Sequence, residues 1–156
     1  MLEERFLEVY TRFKLEFYRK IFARLGAGEG GLSTVEAFCV ETIYALNKPT
    51  VQQFSTFLQI SSPNAAYKVN SLIKKGYLQK VQSLEDKREF HLEVTQKYIE
   101  EHGMSYDYMK VIIDRVTKQF PEEDIEVLER ILTVMSSELM EEFALPTPDK
   151  VLEKSP

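Results

Sequence analysis

Apolar residues recur at steps of three and four over most of this chain. Between residues 2 and 25, Leu2, Phe6, Val9, Tyr10, Phe13, Phe17, Ile21 and Leu25 form one stripe. The stripe predicts a long amphipathic helix, ended by GAGEGG at 26–31. Ser33 and Glu36 have capping-box spacing, and Val35, Phe38, Cys39, Ile43 and Leu46 carry a second helical face as far as Asn47-Lys48-Pro49. Thr50 with Gln53 repeats the capping signal and opens a short third helix bearing Val51, Phe54, Phe57 and Leu58. After QISSPN, Ser62 is the expected N-cap and Pro63 the first helical residue, where its missing N–H costs nothing. This fourth helix runs to about Lys75 before Gly76, with Ala66, Val69, Leu72 and Ile73 as its inward stripe.

The period then changes to two. YLQKVQ (77–82) and FHLEV (90–94) alternate on either side of SLEDKRE (83–89), which predicts an antiparallel hairpin. Two strands alone are marginal, so the hairpin must lean on the helices. From Thr95 the helical period returns, and Ile99, His102, Tyr106, Met109, Ile113, Val116 and Phe120 make a 3.5-residue seam. Pro121 followed by Glu122-Glu123-Asp124 starts a last helix, since acids suit the positive end of the dipole; Ile125, Leu128, Leu132, Met135, Leu139 and Phe143 continue it. ALPTPDKVLEKSP (144–156), with three prolines, is expected to be a loose tail.

At 156 residues the chain has the length of one domain able to bury a core without cross-links. One cysteine excludes an intramolecular disulfide framework, and two histidines, His91 and His102, offer no zinc-ligand cluster. No metal or other cofactor is expected. No apolar run reaches membrane-spanning length, and MLEERFLEVY lacks the basic lead and apolar run of a secretory signal, so a cytoplasmic protein is expected. A nucleophile motif and a phosphate-cradling glycine loop are both missing, which argues against an enzyme and leaves no catalytic residue to name.

Net charge is −5 and the isoelectric point about 5.2, a weak argument against a nucleic-acid partner. Phosphate contacts are local, however, and the charge is unevenly spread. Residues 68–88 hold Lys68, Lys74, Lys75, Lys80, Lys87 and Arg88 against Glu85 and Asp86, whereas the chain from 121 onward holds ten acids against three cations. On the fourth helix, Asn64, Tyr67, Lys68, Ser71, Lys74 and Lys75 stand three or four apart, opposite the inward stripe. Amide, phenol, hydroxyl and ammonium groups are those that bond base edges and phosphates. A recognition helix reads bases mainly near its N-terminus, here Ser62, Asn64, Tyr67 and Lys68, leaving Lys74 and Lys75 nearer the backbone.

Helix, helix, short helix, turn, helix and charged hairpin is the order of a winged helix-turn-helix. The sequence resembles the MarR family of dimeric bacterial transcription regulators over roughly residues 2–143. The resemblance rests on LSTVEAFCVETI (32–43), VQQFSTFLQISSPNAAYKVNSLIKKGYLQKV (51–81) and DKREFHLEVT (86–95), with Asp86-Lys87-Arg88 matching the family's Asp-x-Arg. It implies a mainly α fold with a small β-hairpin wing: a winged helix-turn-helix at about 32–95 with N- and C-terminal dimerisation helices at about 2–25 and 96–143. It also implies that Arg88 enters the minor groove while Asp86 holds it, where a narrow groove concentrates negative potential. Two positions depart from the family pattern. Tyr98 replaces a common glycine, and Tyr67 stands near a place where relatives carry arginine.

The expected function is therefore sequence-specific binding of double-stranded DNA as a regulator, most simply a repressor. The two apolar stripes outside the winged segment exceed what such a unit buries, which predicts a homodimer. Two-fold symmetry then predicts an inverted-repeat site. His102, on the seam, is expected at that interface. The resemblance further implies a small aromatic or anionic effector, for which Phe13, Phe17, Phe38 and Tyr44 are candidate pocket residues. Cys39, on an apolar face without basic neighbours in sequence, reads as a buried, unreactive thiol. The alternative reading is a winged-helix module that binds protein without sequence-specific DNA binding.

Overall fold

A computed structural model describes residues 1–25, 31–104 and 106–142; the expected break at 26–30, Phe143 and the tail at 144–156 lie outside them. The chain divides into two compact units, with the boundary after Met104.

The first unit holds helices α1 (Leu2–Leu25), α2 (Thr34–Ala45), α3 (Val51–Leu58) and α4 (Ser62–Lys74), strands β1 (Leu78–Gln82) and β2 (Phe90–Val94), and α5 (Gln96–His102). Both predicted capping boxes are present. At α2, Ser33 Oγ accepts from the Glu36 N–H at 3.2 Å and the Glu36 carboxylate accepts from the Ser33 N–H at 2.9 Å. At α3, Thr50 Oγ1 accepts from Gln53 N–H and Gln53 Oε1 from Thr50 N–H, at 3.1 and 2.9 Å. Each box satisfies two amides that a helix start would otherwise leave unpaired.

α4 differs from expectation by one residue. Ser61, in extended backbone, is the N-cap: its Oγ accepts from Asn64 N–H at 3.3 Å, and its carbonyl accepts from Ala65 N–H at 2.9 Å. Pro63 is accordingly the second helical residue, still within the first turn where no N–H is missed. Ala65, fully buried, takes the inward place expected of Ala66, beside Val69 and Leu72. α4 closes in a Schellman motif: Gly76, at φ +82°, donates to the Ile73 carbonyl and Tyr77 donates to that of Leu72. The glycine is needed there because an L side chain resists that backbone region.

The hairpin pairs Leu78 with Val94, Lys80 with Leu92 and Gln82 with Phe90. On the outer edge of β2, Leu92 N–H donates to the Pro49 carbonyl at 2.7 Å, and His91 Nδ1 lies 2.8 Å from the Lys48 carbonyl. These bonds tie the hairpin root to the α2–α3 link, where Asn47 and Lys48 both adopt positive φ. Leu92 joins Val40, Ile43, Phe54, Ala65, Val69, Leu72, Leu78 and Tyr98 in one buried cluster, so the wing leans on the helices as predicted. Full burial of a single such aliphatic chain stabilises by about 1.5–3 kcal/mol, the source of the unit's rigidity.

The seam after Thr95 is interrupted. α5 ends at His102 because Gly103 turns away at φ +65°, and helix α6 (Asp107–Gln119) starts in the second unit. A three-and-four spacing can persist across such a turn, which is why the sequence pattern does not reveal it. His102 is not on an open seam: its ring packs at 5.3 Å from Tyr77 and 5.0 Å from Tyr98, and its side chain is 9% exposed. Tyr98, at the position of the common glycine, is fully buried in the same cluster.

In the second unit α6 is followed by Pro121, by α7 (Glu122–Val134) with its acidic first turn, and by a π-helical turn at Met135–Leu139. Neither α6 nor α7 has a buried residue, and Met109, Ile113, Leu128, Ile131 and Leu132 are exposed on them. Among the described residues no helix is long and apolar enough to cross a membrane.

Candidate nucleic-acid interface

The first turns of α4 are anchored by the Ser61 cap below and by Ala65, Val69 and Leu72 behind. That anchoring leaves Ser62, Asn64 and Tyr67 exposed, Tyr67 by 76%, with Lys68 half-buried alongside and Lys74 exposed a turn and a half further on. Ser71 and Lys75, expected on the same face, have an internal partner. Ser71 Oγ donates to Glu36 Oε1 at 3.0 Å, and Lys75 Nζ lies 2.8 Å from both Glu36 oxygens. Burial opposes charge on Glu36, but the Lys75 ammonium, the Ser33 N–H and the Ser71 hydroxyl outweigh it and hold its carboxyl below the ordinary range.

The hairpin tip is ordered by its own side chains. Ser83 Oγ accepts from the N–H groups of Glu85 and Asp86, Ser83 N–H donates to the Glu89 carbonyl, and Gln82 Nε2 donates to the Lys87 carbonyl at 2.6 Å. Within this frame Asp86 Oδ1 accepts from Arg88 N–H at 3.0 Å and from Arg88 Nε at 3.2 Å, while Oδ2 accepts from the guanidinium at 3.3 Å. Arg88 thereby depresses the Asp86 carboxyl, first through its side chain and then through its backbone N–H. The Arg88 side chain remains 92% exposed. Lys87 is exposed beside it.

Helix and wing are joined by a short, heavily bonded link. Thr95 Oγ1 donates to the Gly76 carbonyl at 2.6 Å, and Lys97 Nζ donates to the Lys75 carbonyl at 2.9 Å. Lys97 Nζ also stands 5.0 Å from the centre of the Tyr77 ring, and Tyr77 donates to Glu101 at 2.8 Å. Sequence reasoning singles out none of Glu36, Lys97 or Glu101 for such work. Glu36 carries a visible signal only for its cap, and its partners on α4 stand 35 and 39 residues away.

Of the four candidate pocket residues, Phe17 and Phe38 meet edge to face at 5.7 Å, and Phe38 and Tyr44 stay about two-fifths exposed. Phe13 is half-buried. An open groove on α1, lined by Leu7, Thr11 and Leu15, includes none of them. Cys39 is buried as expected, and burial pushes its thiol up; Lys68 acts in the opposite sense without reversing it. Among the described residues no cluster of His, Cys, Asp and Glu could hold a metal ion.

Residues 32–90 match the family model described as MarR family. Among solved structures, the chain is similar to FabT of Streptococcus pneumoniae in complex with DNA, at 22% identity and a TM-score of 0.54, over 91% of this chain and 97% of that one. It is similar to the transcriptional regulator Tm0710 of Thermotoga maritima at 20% identity and a TM-score of 0.56, over 88% and 96%. A mutant of MepR from S. aureus gives 16% identity and a TM-score of 0.57, over 90% and 98%. These likenesses place the fold among winged helices. No curated protein matches the chain significantly.

Proposed function

We propose, from the match of residues 32–90 to the MarR family model, that this chain is a DNA-binding regulator of that family, a homodimeric repressor that reads an inverted repeat in the cytoplasm. The observation that carries the reading is the pairing of two presented surfaces. The N-terminal face of α4 offers Ser62, Asn64, Tyr67 and Lys68 on a capped, core-backed helix. The ordered hairpin offers Arg88, clasped by Asp86 yet open to solvent. A helix of these groups suits the major groove and an exposed guanidinium the minor groove. Lys74 and Lys87 suit phosphates. FabT, whose fold is similar, is solved in complex with DNA, which supports a DNA partner for this chain.

The homodimer rests on the apolar residues that α1, α6 and α7 each leave exposed, including Phe6, Phe22, Ile113 and Ile131. Release by a small aromatic or anionic effector belongs to the same reading, with the edge-to-face pair of Phe17 and Phe38 as its footing and Phe13 and Tyr44 as further candidates.

Selection of bound duplexes from a random-sequence library tests the proposal. Recovery of an inverted repeat, bound with strong salt dependence, is the expected result. Failure to retain any duplex, with a stable complex to a polypeptide instead, would establish the protein-binding alternative.

A further inference from the structure

Glu36 ties the start of α2 to the end of α4. It caps Ser33, accepts from Ser71 and sits 2.8 Å from the Lys75 ammonium, with its side chain only 14% exposed. Lys75 is also the C-cap of α4, and its carbonyl is held by Lys97 from α5. The next two residues, Gly76 and Tyr77, are bonded to Thr95 at the end of β2. The point where α4 stops and the wing begins is therefore fixed from two sides, by Glu36 on α2 and by the Thr95–Lys97 segment.

We propose that Glu36 is a positioning residue for DNA recognition: it withdraws Lys75 and Ser71 from the DNA-facing set and, through Lys75, fixes the recognition helix relative to the wing. The inference rests on the DNA-binding reading above. It makes a prediction opposite in sign to simple electrostatics. Removing an acid from a DNA-binding surface ordinarily tightens binding by lowering repulsion. If Glu36 positions α4, removing its charge loosens the angle between two probes that must reach neighbouring grooves together, and binding weakens.

The test uses the full chain and a duplex recovered by the selection above, with affinity measured by fluorescence anisotropy across a salt series at 10 °C. Glu36→Gln is the informative variant, because a glutamine Oε1 can accept from Ser33 N–H in the capping box while its Nε2 donates to Ser71 Oγ, so the fold is kept. Glu36→Gln and Lys75→Gln are each expected to weaken binding about fivefold, and the double variant no further, as two halves of one contact behave. Lys75→Gln is expected to leave the slope of log affinity against log salt unchanged. Lys68→Gln, as control, is expected to make it shallower by about 0.9, the share of one phosphate contact.

Tighter binding by Glu36→Gln, or a shallower slope in Lys75→Gln, would overturn the inference while leaving DNA binding in place. So would variants that melt earlier but bind unchanged, since that marks Glu36 as a stabilising residue alone. If the selection retains no duplex, the DNA-binding reading fails, and this inference with it.

Discussion

Arg88 folds back on Asp86, two residues earlier, so that one carboxylate accepts from both its backbone N–H and its guanidinium. The pair is too exposed to add much stability, since surface ion pairs contribute little net free energy. Its value is in order. A long side chain already confined to one arc loses less freedom on entering a groove. Arg88→Ala is expected to weaken specific binding by about 1–3 kcal/mol with the fold intact, which gel shifts at fixed salt alongside circular dichroism will check.

The Asp86 carboxyl gives the clasp a pH signature. Arg88, through its side chain and then its N–H, lowers the folded-state value below that of the unfolded chain. The contribution is therefore complete above the ordinary aspartate range and is lost as pH falls through the depressed value. In the Arg88→Ala variant, a carbon-13 titration of the Asp86 carboxyl is expected to show its midpoint moved up.

Two adjacent serines separate what pattern shows from what backbone decides. Ser61, not Ser62, adopts the extended geometry and accepts from Asn64 N–H. Ser61→Ala is expected to cost about 1 kcal/mol and Ser62→Ala a few tenths at most, read from urea midpoints. Reversal of that order would mean that α4 begins one residue later.

The wing and the helical spans are legible in the sequence because local rules govern them: Ser33 with Glu36 and Thr50 with Gln53 cap by contacts three residues apart, and β-alternation marks 78–82 and 90–94. The Asp86–Arg88 clasp is equally local. The bonds of Ser71 and Lys75 to Glu36 are hidden for the opposite reason, as nothing near either residue shows that Glu36 will fold against them. The break at Gly103 escapes because the apolar period crosses it in phase, and only the positive φ reveals that His102 turns inward to Tyr77 and Tyr98.

Tyr98 departs from the family pattern and is built into the core. It is fully buried, and its ring meets Tyr77 edge to face at 5.6 Å. Its backbone N–H is also the donor to Thr95 Oγ1 that caps α5. Because Tyr98 serves that cap through its backbone N–H, Tyr98→Ala keeps the cap and removes the buried side chain. A loss of about 3–5 kcal/mol is expected in urea unfolding, the range for truncating a buried aromatic. A loss under 1 kcal/mol would show the ring to be dispensable to this cluster.

The second unit carries the sharpest test of assembly. α7 has no buried residue, yet Val127, Leu128, Ile131, Leu132 and Val134 stand on it, with Ile131 50% exposed. A helix with such a face is stable in water only when something covers it. A stable pairing of two copies would hide about 800 Å² on each, more than one helix face supplies, so the proposed dimer is expected to draw on α1 and α6 as well. Ile131→Glu puts a charge into that proposed interface and leaves the sequence of α4 and the hairpin unchanged. Sedimentation is expected to shift from two copies to one at micromolar concentration. Binding to an inverted repeat should fall by at least about 100-fold, because the second half-site no longer benefits from the effective concentration of a linked partner. Binding to a single half-site should hardly change. A variant that remains dimeric would exclude α7 from the interface, and one that becomes monomeric yet binds the full repeat as before would show that pairing is not needed for recognition.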